Sequence, residues 1–234
     1  MDLKTQKNIL AIIPARAGSK RIVNKNKKQL AGKELVCYSI EAARASTEIT
    51  YIAVSSDDDD ILDIASHYDG IRIVRRPNEI SGENAPAITY VQHALETIEK
   101  DFDIVVIIQP TSPFTTGLDI DGTIRLLYSE LADSAVSVVK LDHAIHPAKL
   151  KVMKGNVLEP YYEAENGRMA AHELPEIFVR NGSVYASTLE TIAKGKIIGD
   201  RCLGFEMPRE RSLDINDPID FEFAEFLMIK NQVK

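Results

Sequence analysis

Five short apolar runs constrain the fold of this chain more than any other feature. Ile9 to Ile13, Thr50 to Val54, Ile71 to Val74, Ile104 to Ile108 and Ala135 to Val139 are each four or five residues long. Between them, Leu35 to Ala45, Ile61 to Tyr68, Ile88 to Ile98 and Ile120 to Leu131 carry apolar residues at helical spacing. In the first of these stretches the spacing is set by Leu35, Tyr38, Ile40 and Ala43. A run such as Ile104 to Ile108 has no polar alternation, so both of its faces must be covered. Short buried strands alternating with helices predict βαβ units and a mainly parallel α/β sheet. Right-handed crossovers then bring the strand C-termini to one edge, where open α/β sheets bind their ligands.

The rhythm stops after Lys140. From Leu141 to Arg180 the sequence is polar and irregular, with His146-Pro147, Gly155-Asn156, Glu159-Pro160 and Asn166-Gly167 as turn signals. Lys149 to Lys154 and Val157 to Tyr162 are expected to form a hairpin around Gly155-Asn156. A strand over Ser183 to Ser187 and a closing helix over Phe221 to Ile229 complete the reading. The expected organisation is an α/β domain of residues 1–140 and 181–234 carrying an inserted segment, 141–180. An insertion of this size is expected to form an oligomer contact or a lid.

Composition excludes several classes. The chain has 234 residues, 44% hydrophobic and 27% charged, which is globular. A net charge of −7 argues against a broad nucleic-acid surface, though not against a local basic pocket. The apolar runs are too short to span a bilayer, so no membrane partner is expected. Met1 to Asn8 is polar and lacks the apolar stretch of a secretory leader. Two cysteines, Cys37 and Cys202, cannot build a disulfide framework or a four-ligand zinc site. A cytoplasmic location is expected. The five histidines show no metal-ligand spacing.

Four segments could carry chemistry. The first follows the first strand, where Arg16, Lys20, Arg21 and Lys25 fall within ten residues, with Gly18, Ser19 and Asn26 among them. Exposed main-chain N–H groups with Lys and Arg suit a polyphosphate. The competing reading is a solvated basic turn. Neither a Walker A loop nor a Gly-x-Gly-x-x-Gly fingerprint is present. The second segment is Ser55 to Asp60; its aspartates suit a helix start, with Asp57 nearest the strand end. The third, Gln109 to Phe114, places Gln109 at a strand C-terminus, where it either binds a polar substrate or opens a Pro-rich turn. In the fourth, Ser212 to Asp220, Asp214, Asn216 and Asp217 offer hard oxygen ligands suited to Mg²⁺. The competing reading there is a helix start with Asn216 as N-cap and Pro218 in the first turn.

Six segments occur in an order that resembles the cytidylyltransferases that activate sialic acids, the CMP-N-acetylneuraminate synthetases. They are Ile13-Pro-Ala-Arg-Ala-Gly-Ser-Lys20, Lys25-Asn26, Arg76-Pro77, Gln109-Pro-Thr-Ser-Pro113, Arg180-Asn-Gly-Ser-Val-Tyr185 and Ser212-Leu-Asp-Ile-Asn216. The resemblance covers nearly the whole chain. It implies a three-layer, Rossmann-like nucleotidyltransferase fold (GT-A-like) and the reaction of CTP with a sialic acid to give CMP-sialic acid and pyrophosphate. It assigns Ala15, Arg16, Gly18, Ser19, Lys20, Lys25, Asn26, Arg76 and Ala87 to the nucleotide. It assigns Gln109, Thr111, Ser112, Arg168 and Arg180 to the sugar. Asp214, Asn216 and Asp217 would hold Mg²⁺, and Arg16, Lys20 and Asp214 would be catalytic. It further implies a homodimer in which 141–180 reaches the partner's sugar site.

The chain departs from the family pattern in three places. Asn216 stands where relatives carry a second aspartate, and Thr115 and Ala171 stand where they often carry arginine. These departures leave Arg168 and Arg180 as candidates for the sugar carboxylate. Alternatives kept open are cytidylyl transfer to legionaminate, pseudaminate or Kdo, and a CTP-binding regulatory protein with a degenerate site.

Overall fold

The computed structural model describes residues 7–161 and 174–232. The expected rhythm forms. β1 (Ile9–Pro14) leads into a long loop, two short paired strands β2 (Gln29–Leu30) and β3 (Lys33–Glu34), and helix α1 (Leu35–Ala45). Then come β4 (Tyr51–Ser56), α2 (Asp59–Ser66), β5 (Ile71–Arg75), α3 (Ala87–Ile98), β6 (Ile104–Ile108), α4 (Gly117–Ser129) and β7 (Ser134–Lys140). The expected hairpin is β8 (Lys151–Lys154) and β9 (Val157–Pro160), turned by Gly155 at φ +60°. The chain continues through β10 (Phe178–Thr188), α5 (Leu189–Ala193), β11 (Cys202–Glu206) and α6 (Pro218–Gln232).

Seven strands make one sheet in the order β11-β7-β10-β6-β1-β4-β5. Every pair is parallel except the two that β10 makes, with β6 and with β7. β1 shows why the sheet is sandwiched. Ile9, Ala11 and Ile13 pack into a cluster with Val36 and Ile40 of α1 and Ile120 and Ile124 of α4. Leu10 and Ile12 face the opposite way, into a cluster with Tyr90, Val91 and Ala94 of α3 and Ile192 of α5. Both faces are therefore covered, as the unalternated runs require.

The helix starts follow their caps. The Asp58 side chain accepts from Asp60 N and Ile61 N, so α2 begins at Asp59. Thr116 and Asp119 form a reciprocal capping box that begins α4 at Gly117, three residues before its first periodic isoleucine. The short β2–β3 pair, the edge strand β11 beside β7 and the five-residue helix α5 escaped the sequence reading. β10 is longer than expected, so Phe178 to Arg180 of the irregular segment pair with β7.

The strand order reverses around β1. From β1 the chain steps outward through β4 to β5, then returns to place β6 on the other side. The ends of β1, β4 and β6 therefore diverge at a switch point, the crevice where such sheets hold ligands.

Candidate active site at the switch point

The basic loop is fastened from several sides. Ala15 N donates to Ser55 O (3.0 Å), carrying the β1–β4 pairing one residue further. Ala17 N donates to the Asp57 carboxylate (2.8 Å), and Asn26 Nδ2 donates to Arg16 O (3.0 Å). Ser19 N closes a tight turn onto Ala17 O (2.7 Å), and Arg16 Nη1 donates to Gly18 O (2.8 Å). Asp57 thus anchors this loop. The segment is a held turn whose cations have few acidic partners. Lys20 is the exception and pairs with Glu83, both largely exposed. Lys25 Nζ donates to Ile215 O (2.8 Å). Burial lowers the Lys25 pKa below its ordinary 10.5, opposed by the charge of Asp214 and reinforced by Arg16 and Arg21.

The facing wall is built on Arg76, which follows β5 and is 4% exposed. Its Nε donates to Ser55 Oγ (3.1 Å) and its Nη2 to Ser55 O (2.9 Å). The guanidinium lies 4.6 Å from the centre of the Tyr90 ring, a cation–π arrangement. Burial lowers the Arg76 pKa while Tyr90 and Asp57 oppose the shift. Tyr90 stands one turn along α3 from Ala87, its first residue. Its hydroxyl is buried and, among the described residues, makes no hydrogen bond of good geometry, with the Gln109 side chain the polar group nearest to serving it. Burial pushes that phenol up to about 12, with Arg76 and Gln109 pulling it back.

Gln109 continues β6. Its main chain is fixed: N donates to Ser183 O (3.0 Å), and O accepts from Ser112 N and from Ser39 Oγ, both at 3.2 Å. Its side chain is left to the cavity wall. Thr115 is 6% exposed, donates to Ser112 O (2.8 Å) and pairs with Ser183 Oγ. A hydroxyl of this size fills the position, and an arginine would have to bury its guanidinium there. Ser112 Oγ is buried without a hydrogen-bond partner among the described residues.

The Asp214 segment completes the site. Asn181 Nδ2 donates to Ser212 Oγ (2.9 Å), and Ile215 N donates to Thr111 O (2.8 Å). Between these ties Asp214 lies over Gly182. That glycine is at φ +77°, and a Cβ there would sit 3.2 Å from Asp214 Oδ2. Both the backbone angle and the close approach call for glycine. Asn216 Nδ2 donates to Asp214 Oδ2 (2.9 Å), while Asp214 Oδ1 is buried with no hydrogen-bond partner among the described residues.

Asp217 is the N-cap of α6, correcting the expectation that Asn216 would be. Asp220 N donates to Asp217 Oδ1 (3.0 Å), and Asp220 Oδ2 accepts from Asp217 N (3.0 Å). Pro218 at the first helical position fixes the cap as the residue before it. Among the described residues, no three His, Cys, Asp or Glu side chains gather to hold a metal.

Arg16, Ser19, Lys25, Asn26, Arg76, Ala87, Gln109 and Thr111 line one cavity of about 250 Å³. An adjoining space of about 190 Å³ is bounded by Arg16, Ser19, Lys20, Arg21, Lys25 and Asn216. Arg180 is exposed on β10, outside both cavities, with its charge felt at Tyr185. Arg168 lies outside the described residues. The sequence reading missed Tyr90, whose spacing from Ala87 was its one signal. It also missed Glu83, which lies in a segment without periodicity.

The sequence profile of the family described as Cytidylyltransferase matches residues 10–189, from β1 through β10. The chain belongs to the cytidylyltransferase family. It is 31% identical over 218 residues to an N-acylneuraminate cytidylyltransferase of Escherichia coli, covering 92% of this chain and 51% of that protein. It is 32% identical over 237 residues to a CMP-N,N'-diacetyllegionaminic acid synthase of Legionella pneumophila, covering 96% and 97%. The chain thus spans about half the length of the first relative and nearly all of the second. In fold it resembles a CMP:2-keto-3-deoxy-manno-octonic acid synthetase complexed with CTP, with a TM-score of 0.73 at 15% identity, covering 96% of this chain and 99% of that one. The three-layer, Rossmann-like α/β expectation holds.

Proposed function

We propose that this cytidylyltransferase makes CMP-N-acylneuraminate and pyrophosphate from CTP and an N-acylneuraminate. The observation that carries the reading is the single cavity of about 250 Å³ bringing Arg16, Lys25 and Arg76 together with Gln109. Three cations suit a nucleoside triphosphate, and an amide suits a polar acceptor.

In this reading Arg76 and Ala87 line the nucleotide pocket. Ala15, Arg16, Gly18, Ser19, Lys20, Lys25 and Asn26 hold the triphosphate. Gln109, with Thr111 and Ser112 beside it, orients the acceptor so that its anomeric hydroxyl attacks the α-phosphorus in line. The bond from the α-phosphorus to the bridging oxygen breaks, pyrophosphate leaves with that electron pair, and the hydroxyl proton passes to solvent water. The protein does little covalent chemistry, so alignment and fixed positive charge do most of the work. Arg16 and Lys20 stabilise the charge on the departing pyrophosphate.

Asp214 fits a Mg²⁺ ligand, because its Oδ1 is a buried acceptor without a hydrogen-bond partner among the described residues. Mg²⁺ is commonly held by one or two carboxylates plus substrate phosphates, so one carboxylate suffices. Asn216 steadies that carboxylate through Oδ2. A bound Mg²⁺ supplies charge neutralisation to the phosphate oxygens. Asp217 is committed to capping α6 and is left out of this set.

Thr115 closes the position where relatives often carry arginine, so Arg180, exposed on β10, is the proposed contact for the acceptor carboxylate. The Legionella synthase matches this chain over nearly its whole length, which favours N,N'-diacetyllegionaminate as a second acceptor. The hairpin exposes Met153, Val157 and Leu158, and β10 exposes Phe178 and Val179. These residues support a homodimer joined through 141–180, which sedimentation at micromolar concentration tests. A cytoplasmic setting fits the two free cysteines. CTP-dependent pyrophosphate release with an N-acylneuraminate tests the reaction.

A further inference from the structure

Arg211 and Asp119 are joined by a two-pronged contact. Arg211 Nε donates to Asp119 Oδ2 (2.9 Å) and Nη2 donates to Asp119 Oδ1 (2.7 Å). Asp119 is 1% exposed, and neither residue lines the cavities. The same carboxylate serves a second master: Asp119 Oδ2 accepts from Thr116 N (3.0 Å) and Thr116 Oγ1 (2.7 Å) at the start of α4. Thr116 ends the loop that begins at Gln109, and that loop is stitched by Ser112 N to Gln109 O and Thr115 N to Ser112 O, each at 3.2 Å. Arg211 immediately precedes Ser212, the first anchor of the Asp214 segment.

One buried carboxylate therefore grips two loops, one bearing Gln109 and the other Asp214. We infer that Arg211 is a positioning residue: its fork on Asp119 sets the separation of Gln109 from Asp214, and so the alignment of acceptor and triphosphate. The inference rests on the proposed reaction for its kinetic consequence, and on the hydrogen-bond pattern alone for its structural one. A planar guanidinium can hold a carboxylate in one orientation, which a single ammonium cannot. Arg16 and Arg76 are fixed by contacts outside this segment, and Lys25 meets it only at Ile215 O, so the fork governs alignment more than nucleotide affinity.

The test compares Arg211→Met and Arg211→Lys with the wild-type chain. Thermal melting first establishes that each is folded at the assay temperature; if Arg211→Met is not, Arg211→Lys carries the test. The expected result is a kcat lower by roughly ten- to a hundred-fold for Arg211→Met, in line with small misplacements of reacting groups. The Kd for CTP stays within about three-fold, and Arg211→Lys recovers part of the loss. Amide exchange quickens over 212–216 and is unchanged over 15–19, which Ser55, Asp57 and Asn26 hold. A folded variant with wild-type kcat, or one whose kcat/KM loss is matched by lost CTP affinity, overturns the inference. If the wild-type chain turns over no acceptor, the proposed reaction fails by itself. Exchange then decides: protection lost over 212–216 supports the positioning role, and unchanged protection refutes it.

Discussion

Lys25 donates its ammonium to the main-chain carbonyl of Ile215, 2.8 Å away and 190 residues later in the chain. That contact ties the basic loop after β1 to the segment carrying Asp214, so the triphosphate groups and the acidic group form one unit. Burial already lowers the Lys25 pKa. A bound triphosphate favours the charged ammonium and raises that pKa again. Binding therefore takes up protons at alkaline pH, between the lowered pKa and the bound one. Calorimetry of CTP binding at alkaline pH, in buffers of different ionisation heat, reads this uptake directly. Lys25→Met is expected to abolish it, and uptake that survives the substitution counts against the assignment.

Arg76→Lys tests the opposite wall. Lysine keeps a charge but cannot reproduce two bonds to Ser55 together with the stack on Tyr90. CTP affinity is expected to fall about ten- to a hundred-fold, the scale of losing charge-assisted hydrogen bonds in a buried site. Affinity within about two-fold of wild type would remove Arg76 from the nucleotide pocket.

Tyr90→Phe separates ligand binding from stability. Among the described residues the hydroxyl makes no hydrogen bond of good geometry, Gln109 being its one polar neighbour of consequence, so its removal costs folding little and Tm should stay level or rise. With its pKa held up to about 12, the phenol remains a donor throughout the assay range. Steady-state kinetics should show KM for CTP or for the acceptor raised about five-fold, one neutral hydrogen bond's worth. A lower Tm with unchanged KM would give the hydroxyl a structural role instead.

Asp217→Ala and Asp214→Ala, three residues apart, should behave oppositely. The first removes a cap and is expected to cost about 1 kcal/mol of stability with little change in kcat. The second leaves the fold intact and lowers kcat at least about a hundred-fold. Thermal melts beside initial rates distinguish them. Equal kinetic losses would return Asp217 to the metal site.

The sheet was legible because its strands are buried on both faces: Ile104 to Ile108 has no other way to fold. β11 was not, because Cys-Leu-Gly-Phe-Glu pairs with one neighbour only and carries no apolar run. Gly204 interrupts it because Val138 packs 3.2 Å from where a Cβ would stand. α5 is too short to show a period. In the site, the loop from Arg16 to Asn26 was readable from its cluster of cations. Asp57 as an anchor, and Asp119 as a joint between loops, were hidden. Their meaning depends on contacts 40 and 92 residues away. Asn216 and Asp217 are equally good caps by residue type, and only Pro218 at the first helical position distinguishes them.

Cytidylyl transfer to an N-acylneuraminate is read out by offering a panel of acceptors. The chain is given CTP and Mg²⁺ with N-acetylneuraminate, N-glycolylneuraminate, N,N'-diacetyllegionaminate, pseudaminate or Kdo in turn, and pyrophosphate and the CMP-sugar are quantified together. The account predicts equal amounts of both with N-acetylneuraminate, dependent on CTP and on Mg²⁺. Saturable CTP binding with no CMP-sugar formed from any of the five acceptors would contradict it.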